Sequence, residues 1–287
     1  MKYPTVFINH GGGPLPIMGR QPDLVKNMKD VVANLLPKQP PSAIVILSAH
    51  WESDPVSITS SPNPSLLFDY SGFPRETYEY EYPAPGNPNL AQRIQDLLSD
   101  QGISSRLDDE RGFDHGVFVP LMIMYPSAEI PVVQISLDAS LDSRKNMEIG
   151  RALTPLRDDD ILILGSGYSF HNMGAFFQPS QRTIHGSIDF NEWLKGTILP
   201  NGLETWEVMT PEQRIKQYDQ CMEAFENWEQ APGARISHPR EEHLLPLFMV
   251  AAAGGKAAKP RLIYDSTTSS SKDFGSSEHA VTGYLFE

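Results

Sequence analysis

Ile44-Val45-Ile46-Leu47-Ser48-Ala49-His50-Trp51-Glu52 runs apolar for four residues, turns small, and then presents a histidine. Ile161-Leu162-Ile163-Leu164-Gly165-Ser166-Gly167 follows the same plan, with His171 a few residues beyond. Continuous apolar runs, without polar alternation, suit central strands covered by helices on both faces. Working outward, four more short apolar runs read as strands: Thr5 to Asn9, Val56 to Thr59, Pro131 to Leu137 and Arg261 to Tyr264. The two central runs are bounded as Ala43 to Ser48 and Asp160 to Gly165, and Val281 to Phe286 reads as a closing strand.

Between the strands lie stretches with helical spacing. They cover Asp23 to Leu36, Asn89 to Leu98, Val117 to Met124, Ser143 to Leu156, Ile188 to Leu194, Glu212 to Trp228 and Glu241 to Ala253. Strands alternating with helices predict an α/β fold, a three-layer α/β/α arrangement around a mixed, largely parallel sheet. The chain has 287 residues and neither an internal repeat nor an interdomain linker, so residues 1–287 are expected to form one domain. The Pro-rich stretch Ser60 to Pro88 carries Phe68, Tyr70, Phe73, Tyr78, Tyr80 and Tyr82, which predicts an ordered covering loop. The Ser-rich stretch Thr267 to Ser277 reads as a mobile loop.

A net charge of −13 disfavours nucleic acid and anionic membrane, which need clustered Lys and Arg, and favours a small-molecule partner. No apolar run approaches a membrane span, and the N-terminal residues lack the apolar core of a signal peptide. The single cysteine, Cys221, can make no internal disulfide and reads as a structural thiol, so the expected location is the cytoplasm.

The histidines carry the chemistry. His10, His50 and His171 each follow a different predicted strand. Carboxyl ends of parallel strands line the ligand crevice of an open α/β sheet, so the three would meet at one edge. His115, in Gly112-Phe113-Asp114-His115-Gly116, and His243, in Glu241-Glu242-His243-Leu244, stand at helix starts that can face the same crevice. His185, His238 and His279 have no such placement and read as structural or surface residues. Gly11-Gly12-Gly13 lacks the Gly-Lys-Ser/Thr of a phosphate loop and reads instead as close backbone approach to a metal or substrate. One cysteine excludes a cysteine-rich zinc site, whereas imidazoles suit iron, zinc, copper or nickel.

Five motifs stand in order along the chain: Asn9-His10-Gly11-Gly12-Gly13-Pro14, Ser48-Ala49-His50-Trp51-Glu52, Asp114-His115-Gly116, Gly165-Ser166-Gly167 with His171-Asn172, and Glu242-His243-Leu244-Leu245-Pro246-Leu247. Together with Phe68-Asp69-Tyr70-Ser71-Gly72-Phe73-Pro74 and Tyr82-Pro83-Ala84-Pro85-Gly86, the chain resembles the class III extradiol ring-cleavage dioxygenases, in particular the DOPA 4,5-dioxygenase branch. The resemblance implies a mononuclear non-haem Fe(II) enzyme that inserts O2 beside the diol of a DOPA-like or related catechol. It implies His10, His50 and His243 as metal ligands, His171 as the acid/base histidine, and His115 as a contact to substrate and dioxygen. The wider class uses two histidines and a carboxylate, so Glu242 competes with His243 as third ligand. An all-histidine triad also suits Zn(II), with His171 as a candidate fourth ligand. Two alternatives stay open: a zinc hydrolase with Glu52, Glu241 or Glu242 as general base, and a non-catalytic metal-binding protein. The motifs specify neither the particular catechol nor the oligomeric state.

Overall fold

The computed structural model describes residues 2–200, 206–268 and 278–287. Most of the Ser-rich stretch expected to be mobile, 269–277, lies outside the described residues. Eight strands form one sheet in the order β4-β3-β5-β2-β6-β1-β8-β7. They are β1 (Thr5–Asn9), β2 (Ala43–Ser53), β3 (Val56–Thr59), β4 (Ser105–Asp108), β5 (Val132–Asp138), β6 (Ile161–Gly167), β7 (Pro260–Asp265) and β8 (Thr282–Phe286). The central four, β5, β2, β6 and β1, are mutually parallel. Antiparallel β8 pairs with β1 on one side, and β3 pairs antiparallel with β5 on the other.

The apolar runs divide between two cores because successive side chains of a strand point to opposite faces. Val45, Leu47, Ile161 and Ile163 join one core, and Ile44, Ile46, Leu162 and Leu164 join the other. The first core is closed by α2 (Pro88–Asp100), α4 (Ser143–Ala152), α6 (Gln181–Ile198), α7 (Pro211–Glu226) and α9 (Leu245–Gly254). The second is closed by α1 (Pro22–Asp30) and α3 (His115–Met124). Two short helices, α5 (Met173–Phe177) and α8 (Ala234–Ser237), lie beside them among the described residues. The result is the expected α/β/α sandwich. Helix α9 is buried at every position, which explains its apolar composition all round.

Three boundaries differ from expectation in ways that matter for the site. His50 does not follow β2 but lies within it. Between Leu47, opposite Ile135, and Glu52, opposite Leu137, β2 holds more residues than β5, so Ser48 to Trp51 bulge from the β5 side while Ser48 stays level with Ser166 of β6. Helix α9 begins at Leu245, leaving His243 in a preceding turn closed by Leu244 N–H donating to Glu241 O (2.8 Å). The run expected as one helix over Asp23 to Leu36 is α-helical only to Asp30 and continues as a wider π turn. Strand β4 has no apolar signature in the sequence because Ser105-Arg106-Leu107-Asp108 is a half-exposed edge with one apolar residue.

Candidate metal centre

Strand register sets the site. Asn9 is level with Gly167, and Ser48 with Ser166, so β1, β2 and β6 finish at one sheet edge. His10 steps off β1 and donates its backbone N–H to Gly167 O (3.1 Å). The β2 bulge brings His50 alongside it. Tyr168, just past β6, donates its N–H to His243 O (2.9 Å), fastening the third segment to the same edge. That approach needs Gly167, because a Cβ there would lie 2.2 Å from His243 O.

His10, His50 and His243 each turn a ring nitrogen into a common space, with the three atoms within 4.8 Å of one another. Their ring centroids are 4.9 to 5.3 Å apart. Each ring has an acceptor behind Nδ1. The Ser166 hydroxyl donates to Gly116 O and therefore accepts from His10 Nδ1–H (3.0 Å). Asp69 Oδ2 faces His50 Nδ1 at 3.4 Å. Glu242 Oε1 accepts from His243 Nδ1 (3.0 Å). This pattern favours the Nδ1–H tautomer in all three and leaves bare Nε2 lone pairs, as neutral metal ligands require. The Nε2 atoms of His10 and His50 face each other at 3.2 Å. Two nitrogens so placed repel unless a proton or a metal ion lies between them, and with Nδ1–H on both rings a metal ion fits the pair.

Burial and mutual repulsion keep these rings neutral. Burial, then His50 and His243, hold His10 well below its ordinary value. Burial and the neighbouring His115 push His50 down to about 4. His243 is lowered by burial and by His171, against the pull of Glu242.

The other two histidines flank the triad. His171 stacks on His243, centroids 3.4 Å apart, with its Nδ1 3.2 Å from Glu242 Oε1. His115, at the start of α3, lies 3.9 Å from His50 by ring centroid and donates Nδ1–H to Asp69 Oδ1 (2.7 Å). Two carboxylates thus each serve a triad histidine and a flanking one. Burial opposes their ionisation, but hydrogen bonds from His115 hold Asp69 at about 2, and those from His171 and His243 hold Glu242 well below the usual carboxylate range.

All five predicted histidines therefore meet at one edge. Glu242 stands behind His243 rather than beside His10 and His50, and His171 lies outside the group containing those two. Asp69 and Ser166 stand inside the quoted motifs, but nothing in the sequence marks them as partners of the histidines. His238, expected to be a structural or surface residue, is fully buried and donates Nε2–H to Ser169 O (3.0 Å), in the loop leading to His171. The same loop is held by Ser169 N–H donating to Asn9 Oδ1 (2.9 Å). The glycine run makes a tight turn. Gly11 has φ +90° with Pro16 and Gln21 packed where a Cβ would be, and Gly12 N–H donates to Gln21 Oε1 (3.0 Å). Cys221 is a buried free thiol, its pKa pushed up by burial.

Residues 5–275 match the family described as the catalytic LigB subunit of aromatic ring-opening dioxygenase. The chain is 35% identical over 279 residues to a 4,5-DOPA dioxygenase extradiol of Beta vulgaris, covering 97% of each protein. It is 34% identical over 254 residues to a 4,5-DOPA dioxygenase extradiol of Escherichia coli K12, covering 88% of this chain and 85% of that one. The crystal structure of uncharacterized protein JW3007 from Escherichia coli K12 superposes along the full length of both chains, with a TM-score of 0.71 and 27% identity.

Proposed function

Because the chain belongs to the LigB family of aromatic ring-opening dioxygenases, we propose that His10, His50 and His243 hold the metal of an extradiol ring-cleaving dioxygenase acting on a DOPA-like catechol. The observation that carries this reading is the convergence of three Nε2 atoms, each backed by an acceptor at Nδ1. Fe(II) is the metal proposed for turnover, since ring opening by O2 needs a centre that passes electrons between catecholate and dioxygen. Zn(II) suits the same nitrogen set and would occupy it without supporting that step.

The flanking pairs supply proton chemistry. Glu242 holds a proton on His171 Nδ1, leaving Nε2 to accept one from a catechol hydroxyl, and the same carboxylate stabilises the resulting imidazolium. Asp69 holds His115 in the matching tautomer on the other side, where Nε2 faces substrate and dioxygen. Tyr70 packs 5.8 Å from His115 and Phe176 6.4 Å from His171 by ring centroid, so aromatic walls border both acid/base groups. One catechol and one O2 give one ring-opened semialdehyde acid carrying both oxygen atoms.

A zinc hydrolase would need a free carboxylate as base. Glu52 is held by both Arg240 amino groups (2.5 and 2.6 Å), Glu241 by Arg235 (2.6 Å) and Glu242 by the two histidines, so none of the three candidates is free. We place the enzyme in the cytoplasm as one catalytic domain over residues 1–287; no helix among the described residues is long and apolar enough to cross a membrane. The test is oxygen uptake by anaerobically Fe(II)-loaded protein given DOPA, dopamine, caffeate, protocatechuate and catechol. Stoichiometric uptake with a yellow product from at least one is expected. No uptake across the panel, with Fe(II) bound, would reject the reading.

A further inference from the structure

Asp69 comes from neither the sheet edge nor the helices beside it. It sits in the 60–88 loop, which is anchored at one end by Leu67 N–H donating to Phe113 O and Phe113 N–H donating to Ser65 O (both 2.8 Å). At the other end, a bridge joins Gly86 to Val132. Between these anchors Phe68, Tyr70 and Tyr78 cluster with Phe118 of α3, and Phe73 packs against Gly13. Asp69 turns inward from this aromatic layer, its side chain one-fifth exposed. It receives three groups: Nδ1–H of His115 (2.7 Å), N–H of His115 (3.0 Å) and, on its second oxygen, the Nδ1 edge of His50 (3.4 Å). The neighbouring Asp114 cannot substitute, because it is fully buried among Ser48, Arg111 and Gln134, with no ring nitrogen among its hydrogen-bond donors.

We propose that Asp69 is a positioning residue that makes the 60–88 loop part of the metal centre, so that metal binding and docking of the loop strengthen one another. The proposal rests on His10, His50 and His243 as the ligands. A carboxylate accepts only, so both its oxygens favour Nδ1–H on the rings they face, which leaves Nε2 of His50 bare for the ion. The loop must be docked for this to hold. By linkage, whatever factor loop docking adds to metal affinity, bound metal returns to loop docking.

Asp69→Asn separates this role from packing. Asparagine has the same shape and keeps one oxygen, which can retain both His115 bonds. Its amide then faces His50 Nδ1 as a donor and favours the tautomer with the proton on Nε2, which cannot ligate. The experiment uses full-length chelator-stripped protein, with Zn(II) affinity measured by chelator competition and hydrogen exchange followed over residues 65–82. Zn(II) should slow exchange there in the wild type. Asp69→Asn should bind Zn(II) about 10–100-fold more weakly and lose that protection, while Glu242→Gln at saturating Zn(II) should keep it. Equal Zn(II) affinity in Asp69→Asn, or no protection of 65–82 in the wild type, would overturn the proposal while leaving the centre intact. The wild-type arm decides even if the variant does not fold. Wild type that binds no Zn(II) would overturn the centre and the proposal together.

Discussion

His171 and His243 show how the same residue type takes different roles a few ångströms apart. Both rings have Nδ1 on Glu242, and they stack face to face, yet only His243 joins His10 and His50. His171→Ala should therefore keep its metal while ring cleavage falls by at least about 100-fold, the usual scale for a lost general base. Metal content and single-turnover oxygen uptake check this, and lost metal would make His171 a ligand instead. The five histidines were legible because each stands beside small or turn-forming residues, shortly after an apolar run or shortly before one. Asp69 was not, since a carboxylate between two aromatics in a Pro-rich loop looks like any solvated acid until the loop is seen docked. Ser166 was hidden for a similar reason: its role depends on Gly116 O, 50 residues away in sequence.

At the level of elements, the end of β6 decides where the third ligand lies. Gly165 and Gly167 admit the backbone of the 243–246 segment, with Pro246 O 2.6 Å from a Cβ on Gly165 and His243 O 2.2 Å from one on Gly167. Gly167→Ala should displace His243, costing about 1–3 kcal/mol of stability as an overpacked contact and weakening metal binding in step. Urea midpoints and bound Zn(II) per chain measure both, and a variant equal to wild type on both counts would contradict the packing account. The strand runs were legible from their apolar continuity, and the central ones were placed to within a few residues. The β2 bulge was not, because a bulge is a mismatch between partners and only pairing with β5 reveals it. The helical boundary at Leu245 was obscured by the apolar run that continues into α9, which gives no periodic signal where a helix is buried all round.

Across the molecule, neutral buried histidines tie stability to pH. Burial lowers His10, His50, His243 and His238, with His50 at about 4 and His238 at about 3. In the unfolded chain each takes a proton near its ordinary value of about 6.5. Below that pH the unfolded state binds more protons, so stability falls as pH falls, by a little over 1 kcal/mol per pH unit for each such histidine. The loss continues down to about pH 4 for His50 and about pH 3 for His238, and the lowered Asp69 adds to it between about 4 and 2. Urea midpoints of the metal-free protein should therefore drop between pH 7 and pH 5, and a flat or rising profile would contradict the assignment. The α/β/α layering was legible from alternation alone, whereas the convergence of two carboxylates behind four histidines required the fold.

The central claim is that His10, His50 and His243, gathered at one edge of the sheet, bind the metal, and that neither Glu242 nor His171 does. X-ray absorption at the zinc edge of Zn(II)-loaded protein counts imidazoles directly through their outer-shell scattering. The geometry predicts three, with Zn–N distances of about 2.0–2.1 Å. Two imidazoles with a protein carboxylate would place Glu242 in the coordination sphere, four would place His171 there, and either result would contradict the account.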